Sequence, residues 1–150
     1  MTFTVEAVCL AVEKGVPKHE VPEIVLRREH GVEGDAHAGA WHRQVSLLAG
    51  EAVDAMRAKG LELAHGAFGE NIVTRGVDWT RARVGVTIEI GEALLEITQI
   101  GKECHSRCAI YYAAGDCIMP RQGIFARVRR GGRIHAQSSG DYRIGPGIAR

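Results

Sequence analysis

No apolar stretch in the 150-residue chain approaches the roughly 20 residues needed to span a bilayer. The N-terminal residues also lack the apolar core of an export signal, so a cytoplasmic protein is expected. A charge excess is missing as well. Nineteen basic side chains against 18 acidic ones leave a formal net charge of +1, which offers no electrostatic footprint to nucleic acid. No internal repeat, low-complexity tract or Pro/Ser-rich linker divides the chain, and the expectation is one domain over residues 1–150. Its glycine-rich stretches lead into neither Gly-Lys-Ser/Thr nor a dinucleotide fingerprint, which excludes the common nucleotide-binding signatures. What remains is ordinary globular material: 45% apolar and 25% charged residues, enough to bury a core.

The strand signals outnumber the helical ones. Phe3 to Val12, Glu23 to Arg27, Val45 to Leu48, Asn71 to Val73, Val86 to Ile90, Ala93 to Ile100 and Ile124 to Val128 read as strands. Val86 to Ile90 alternates with the period of a sheet that has one wet face. Gly91-Glu92 between two such runs signals a hairpin. Ala52 to Lys59 is the clearest helix, with Val53 and Met56 one turn apart and Gly60 where a left-handed cap belongs. Six to eight short strands with few helices predict a mostly-β barrel, in which the 19 glycines serve turns, bulges and corners.

Three constellations carry chemistry. In Gly31-Val32-Glu33-Gly34-Asp35-Ala36-His37-Ala38-Gly39 and the following Trp41-His42-Arg43-Gln44, backbone N–H groups could approach an anion, with His37, His42 and Arg43 as added donors. The same residues also suit a wide turn in which Asp35 caps backbone amides and the histidines lie at the surface. Asn71, after Gly66-Ala67-Phe68-Gly69-Glu70, offers donors and an acceptor for a heterocycle edge, or plain turn chemistry. Lys102-Glu103-Cys104-His105-Ser106-Arg107-Cys108 sets thiols beside cationic groups that lower a thiol's pKa. With Cys117 this loop admits a structural zinc site, a functional thiol or a structural role. The C-x2-C knuckle of zinc ribbons is absent. Cys9, in an apolar run, reads as a small buried hydrophobe. Arg121 falls on a loop, and Arg127, Arg129 and Arg130 read as a solvated face.

Taken in order, Gly-Asp-Ala-His-Ala-Gly (34–39), Arg-Gln-Val-Ser-Leu-Leu (43–48), Gly-Glu-Asn-Ile-Val (69–73), Ser-Arg-Cys (106–108) and Gly-Ile-Phe-Ala-Arg-Val (123–128) resemble the MOSC family. These are relatives of the C-terminal domain of molybdenum cofactor sulfurase, and the chain looks like a stand-alone bacterial member. The resemblance runs from about Val5 to Gly145 and implies a β-barrel with a few short helices. It implies a pocket for the molybdenum (or tungsten) pterin cofactor, formed by His37, His42, Arg43, Gln44, Asn71, Ser106, Arg107 and Arg121. It further implies that Cys108 acts as the catalytic thiol, carrying persulfide sulfur, or as the metal ligand. Amidoxime-reducing relatives carry an arginine two residues before the asparagine matched by Asn71, where this chain has Gly69. The phosphate contact would then fall to Arg43, Arg107 or Arg121.

The function implied is cofactor sulfuration, transfer or maturation. Its partners would be cofactor-biosynthesis or acceptor enzymes, with a homodimer as one way to cover the cofactor. A partner-dependent reductase of N-hydroxylated compounds and a zinc-stabilised interaction module are the alternatives. The chain carries neither the second barrel of amidoxime-reducing enzymes nor a ferredoxin domain, so a self-sufficient reductase is not expected.

Overall fold

The computed structural model describes residues 1–101 and 122–143. Its strands in chain order are β1 (Thr2–Leu10), β2 (His19–Val21), β3 (Glu23–Arg27), β4 (Gly31–Val32) and β5 (Val45–Ala49), followed by helix α1 (Gly50–Arg57). Then come β6 (Ile72–Arg75), β7 (Thr87–Ile90), β8 (Ala93–Ile100), β9 (Ile124–Arg130), β10 (Gly132–His135) and β11 (Ser139–Arg143). The large sheet runs β11-β7-β8-β9-β5-β6-β1-β2, and a further β11–β1 pairing closes seven of these strands into a barrel. β10, β3 and β4 form a small second sheet. The mostly-β barrel expected from the sequence is therefore present.

Local chemistry accounts for the regular parts. In β7 the isoleucines Ile88 and Ile90 are buried while Thr87 and Glu89 are half-exposed, so the period-2 pattern separates core from rim. Glycine Gly91 turns this strand directly into β8, giving an antiparallel pair from Thr87↔Glu96 to Ile90↔Ala93. The helix begins two residues earlier than expected, at Gly50, and ends at Arg57. Val53 and Met56 are its buried face. The β5–β6 pair is parallel, from Leu47↔Ile72 to Ala49↔Thr74. A parallel pair needs a crossover, which α1 and the residues after it supply.

The barrel interior holds Val5, Val45, Leu47, Ile72, Ile88, Ile90, Leu95, Ile97, Ala126 and Val128, all about fully buried. Each large aliphatic side chain buried this way contributes roughly 1.5–3 kcal/mol. An aromatic cluster belongs to the same core. Trp79 meets Phe3 and Tyr142 edge-on at 5.7 and 5.4 Å, and its indole N–H donates to Thr74 Oγ1 at 2.9 Å. A second apolar cluster lies outside the barrel, where Leu48 and Phe125 pack against Val53, Met56 and Phe68. Phe125 thus faces outward while its neighbour Ile124 faces the core.

The bulge between Val5 and Ala7 lets β1 change register against β6. Beside it, Glu6 accepts from Arg75 and lies within hydrogen-bond distance of His65. Gly140 is required by a close approach, since a Cβ there would lie 2.2 Å from the Phe3 ring.

Candidate functional site

The loop from Gly31 to Gln44 is held from below by charge. Asp35 Oδ1 accepts from the Ala11 N–H at 3.1 Å, and Oδ2 accepts from the His37 N–H at 3.1 Å and from Lys18 Nζ at 2.9 Å. Asp35 therefore caps backbone amides, as one reading of the loop required. Both members of the ion pair are inaccessible, with side chains 1% and 0% exposed. Burial pulls the Lys18 pKa down from the usual lysine range, while the Asp35 charge and hydrogen bond oppose that loss. His37 Nδ1 lies 3.8 Å from the same carboxylate oxygen.

Above this anchor, Trp41 organises the surface. Its indole N–H donates to the His37 carbonyl at 2.7 Å, and its ring lies parallel to the His37 ring within 10°. Lys14 Nζ sits 5.3 Å from the Trp41 ring centre. The Arg43 guanidinium lies 4.6 Å from the Trp41 ring centre and 5.7 Å from that of Phe125, a cation held by two aromatic faces. Among the described residues no carboxylate pairs with Arg43, and its Nε is buried without a hydrogen-bond partner. Arg75, Arg127 and Arg129, by contrast, each contact a carboxylate at 2.8 Å or less. Leaving a buried donor unmatched costs roughly 1–3 kcal/mol. Among the described residues, then, no carboxylate takes up the Arg43 charge, which sets it apart from those three arginines.

His42 extends the patch to the end of the barrel. Its Nε2 lies 2.7 Å from Gln99 Oε1, and its carbonyl accepts from Thr98 Oγ1. Gly101 N–H donates to the Gly123 carbonyl at 2.7 Å, so the chain leaves β8 and re-enters β9 next to this patch.

The remaining expected site residues occupy two settings. Gln44 is 1% exposed, and its Oε1 accepts from the Val128 N–H at 2.9 Å. Asn71 is fully buried. Its Oδ1 accepts from the Ser46 N–H at 3.1 Å and from Ser46 Oγ at 3.3 Å, while Nδ2 donates to the Cys9 carbonyl at 3.1 Å. These contacts tie β5, β6 and β1 together beneath the loops. Glu70 beside it accepts from the Gly66 and Phe68 N–H groups at 2.9 and 3.1 Å. Burial raises its carboxyl pKa, and those N–H groups hold it back. Gly66, with φ +89°, is required here because a Cβ would lie 2.2 Å from the Lys18 carbonyl oxygen. Cys9 is fully buried, and its environment pushes the thiol pKa up.

Ser106, Arg107, Cys108 and Arg121, with Cys104 and Cys117, lie outside the described residues. Among the described residues no group of three or more His, Cys, Asp or Glu side chains is placed to hold a metal ion. Lys18, Lys14, Glu70 and Gln99 belong to the site or its foundation and were not singled out by the sequence. Lys18 and Gln99 carry no local signal, because their partners lie 17 and 57 residues away.

A closed β-barrel with an aromatic–cationic patch beside one strand end defines the class. The chain belongs to the MOSC domain family, whose pattern it matches over residues 34–139, and which is associated with molybdenum-cofactor and sulfurase-like roles. Strands β1, β2, β3 and β4 lie outside that stretch, and β11 reaches four residues past it.

The fold is similar to that of the YuaD protein from Bacillus subtilis, with a TM-score of 0.76 at 18% identity, covering 93% of this chain and 94% of that one. YiiM from Escherichia coli aligns with a TM-score of 0.66 at 22% identity, covering 97% of this chain and 71% of YiiM. YiiM from Geobacillus stearothermophilus gives 0.67 at 18% identity, over 97% and 76% of the two chains. Comparison with curated proteins yields no match.

Proposed function

We propose that this MOSC protein binds the molybdenum (or tungsten) pterin cofactor and acts in its sulfuration, transfer or maturation through Cys108. The observation that carries the reading is Arg43. Its guanidinium is fixed between Trp41 and Phe125, lacks a carboxylate among the described residues and holds a buried donor without an acceptor. Such a group fits the phosphate of a pterin cofactor, since a guanidinium fork matches phosphate oxygens.

Lys14 adds a second positive charge beside Trp41. His37 and His42 border the same patch. Gln44 and Asn71 act from beneath, by holding the strands on which the patch stands. When bound, the cofactor would supply a high-valent metal centre bearing sulfur ligands, to which a soft thiolate is suited. Arg107, adjacent to Cys108 in sequence, favours the thiolate, the form that carries sulfur or ligates metal. Ser106 and Arg121 complete the proposed set of binding residues.

The test is expression with an intact cofactor pathway, followed by metal and pterin analysis of the wild type, Cys108→Ser and Arg43→Met. Molybdenum and pterin should co-purify with the wild type and fall in both variants. Native mass spectrometry should show a sulfur adduct of about 32 Da on the wild type and none on Cys108→Ser. Equal, near-zero molybdenum in wild type and Cys108→Ser overturns the proposal.

A further inference from the structure

A cavity of about 790 Å³ opens on the other side of the β8–β9 end from Arg43. Ile100 and Ile124 line it, whereas their neighbours Gln99 and Phe125 meet His42 and Arg43. Its volume lies within the roughly 300–1,000 Å³ of ordinary small-molecule pockets. Ala52, Val77 and Trp79 give it apolar walls. Trp79 is locked by Phe3, Tyr142 and Thr74, so this wall is preformed and its ordering costs a ligand little.

Among the described residues the charged groups lining the cavity have one sign. Glu51 and Asp78 line it, and no lysine, arginine or histidine does so among the described residues. Glu51 Oε2 accepts from the Gly76 N–H at 2.9 Å, and Asp78 Oδ1 accepts from the Thr80 N–H at 3.0 Å. The second oxygen of each carboxylate has no hydrogen-bond partner among the described residues. Hydrogen bonds from Thr80 hold the Asp78 carboxyl below its usual range, with the Arg81 charge adding to this, so Asp78 stays ionised at neutral pH. The other cations of the surrounding elements are committed elsewhere. Arg75 pairs with Glu6 and Asp54, and Arg57 with Asp54 and the Leu63 carbonyl. Arg81 does not line the cavity.

We propose that this cavity binds a small flat organic monocation of the amidinium class, its apolar body against Trp79, Val77 and Ile100 and its N–H groups toward Glu51 and Asp78. A planar N–H fork is matched to carboxylate oxygens, and an apolar ring is matched to the walls. Its described lining shares no residue with the Trp41–Arg43 patch, and its binding of a monocation does not depend on the cofactor reading.

The experiment uses benzamidine as the probe and neutral benzamide as the control, titrated into the full-length protein and followed by amide NMR. Tryptophan fluorescence in a Trp41→Phe background gives a second readout. Benzamidine should produce saturable shifts at the amides of Ala52, Gly76 and Thr80, and benzamide should bind more weakly. Glu51→Gln and Asp78→Asn each keep an oxygen for the existing backbone bond. Each should weaken benzamidine binding by about fivefold, the factor expected of one exposed ion pair. Ala52→Trp, which fills the cavity, should abolish binding. The proposal is overturned if no saturable shift appears, if benzamide binds equally well, if the shifts cluster at Trp41 and Arg43, or if folded Glu51→Gln and Asp78→Asn bind as the wild type does. Molybdenum content is measured separately, so loss of the cofactor reading would leave this result unaffected.

Discussion

Lys18 donates to Asp35 across 2.9 Å, and neither side chain is more than 1% exposed. The pair joins the residues after β1 to the glycine-rich loop, with Asp35 also holding the Ala11 and His37 amides. Removing one partner strands the other charge. Lys18→Met should lower unfolding free energy by about 3–5 kcal/mol. The double variant Lys18→Met/Asp35→Asn should recover part of that loss, because the uncompensated charge is gone. Urea unfolding of the two proteins checks both statements, and a double variant no more stable than Lys18→Met would refute the second.

His65 faces two carboxylates, with Nδ1 3.0 Å from Glu20 Oε1 and Nε2 2.9 Å from Glu6 Oε2. Both contacts are hydrogen bonds only when the ring carries two protons. Burial pulls its pKa down, but the hydrogen bonds to Glu20 and Glu6 outweigh this, and the net shift is upward from 6.5. Arg75 hydrogen-bonds Glu6, whose pKa is lowered overall, so Glu6 remains charged across the neutral range. A raised folded pKa contributes stability that is fully present below the unfolded value of 6.5 and disappears as pH rises through the folded one. Melting temperatures of wild type and His65→Gln, followed from about pH 5.5 to about pH 8.5, should therefore differ most at the acid end and converge toward the alkaline end. A constant difference would contradict this.

Asn71 uses its side-chain amide on Ser46 and Cys9 at a position with no exposure. Asn71→Ala leaves the Ser46 N–H and the Cys9 carbonyl to find other partners, and should cost about 2–3 kcal/mol. Asn71→Asp keeps an acceptor for Ser46 but turns a carboxylate oxygen toward the Cys9 carbonyl, so it should be no milder. Denaturant midpoints rank the variants, and a neutral Asn71→Ala would show that the knot does not support the barrel.

The parts of the fold legible in the sequence are those whose signal is local. The Val86 to Ile90 alternation, the Gly91 turn and the following strand are visible because the period and the turn residue lie side by side. Helix α1 was legible as a helix but not at its ends. Gly60 does adopt φ +91°, yet the last helical residue is Arg57. The short strands β2, β4 and β10 went unread, because two to four residues carry too little pattern. The pairing of β10 with β3 sets Gly132 against Leu26, a relation that no local window contains. The parallel β5–β6 pair is hidden for the same reason.

The candidate site was legible in its loops rather than in its foundation. Trp41, His42 and Arg43 follow the glycine-rich stretch and form the patch together. Nothing around Lys18 marks it as a buried lysine until Asp35 is brought to it. Arg127 and Arg129 read as a solvated face, but Glu29 grips both at 2.8 and 2.7 Å. Both side chains stay more than a third exposed, as a solvated face requires, but each is paired, in contrast to Arg43.

The seam between β1 and β11 pairs Thr2 with Asp141 and Thr4 with Ser139. Its two sides are almost the whole described chain apart, which makes this the least local strand pairing among the described residues. Until it forms, both strands present open edges able to recruit strands from other chains. Aggregation during refolding should therefore be governed by how long this one seam stays open, whatever the final stability of the barrel.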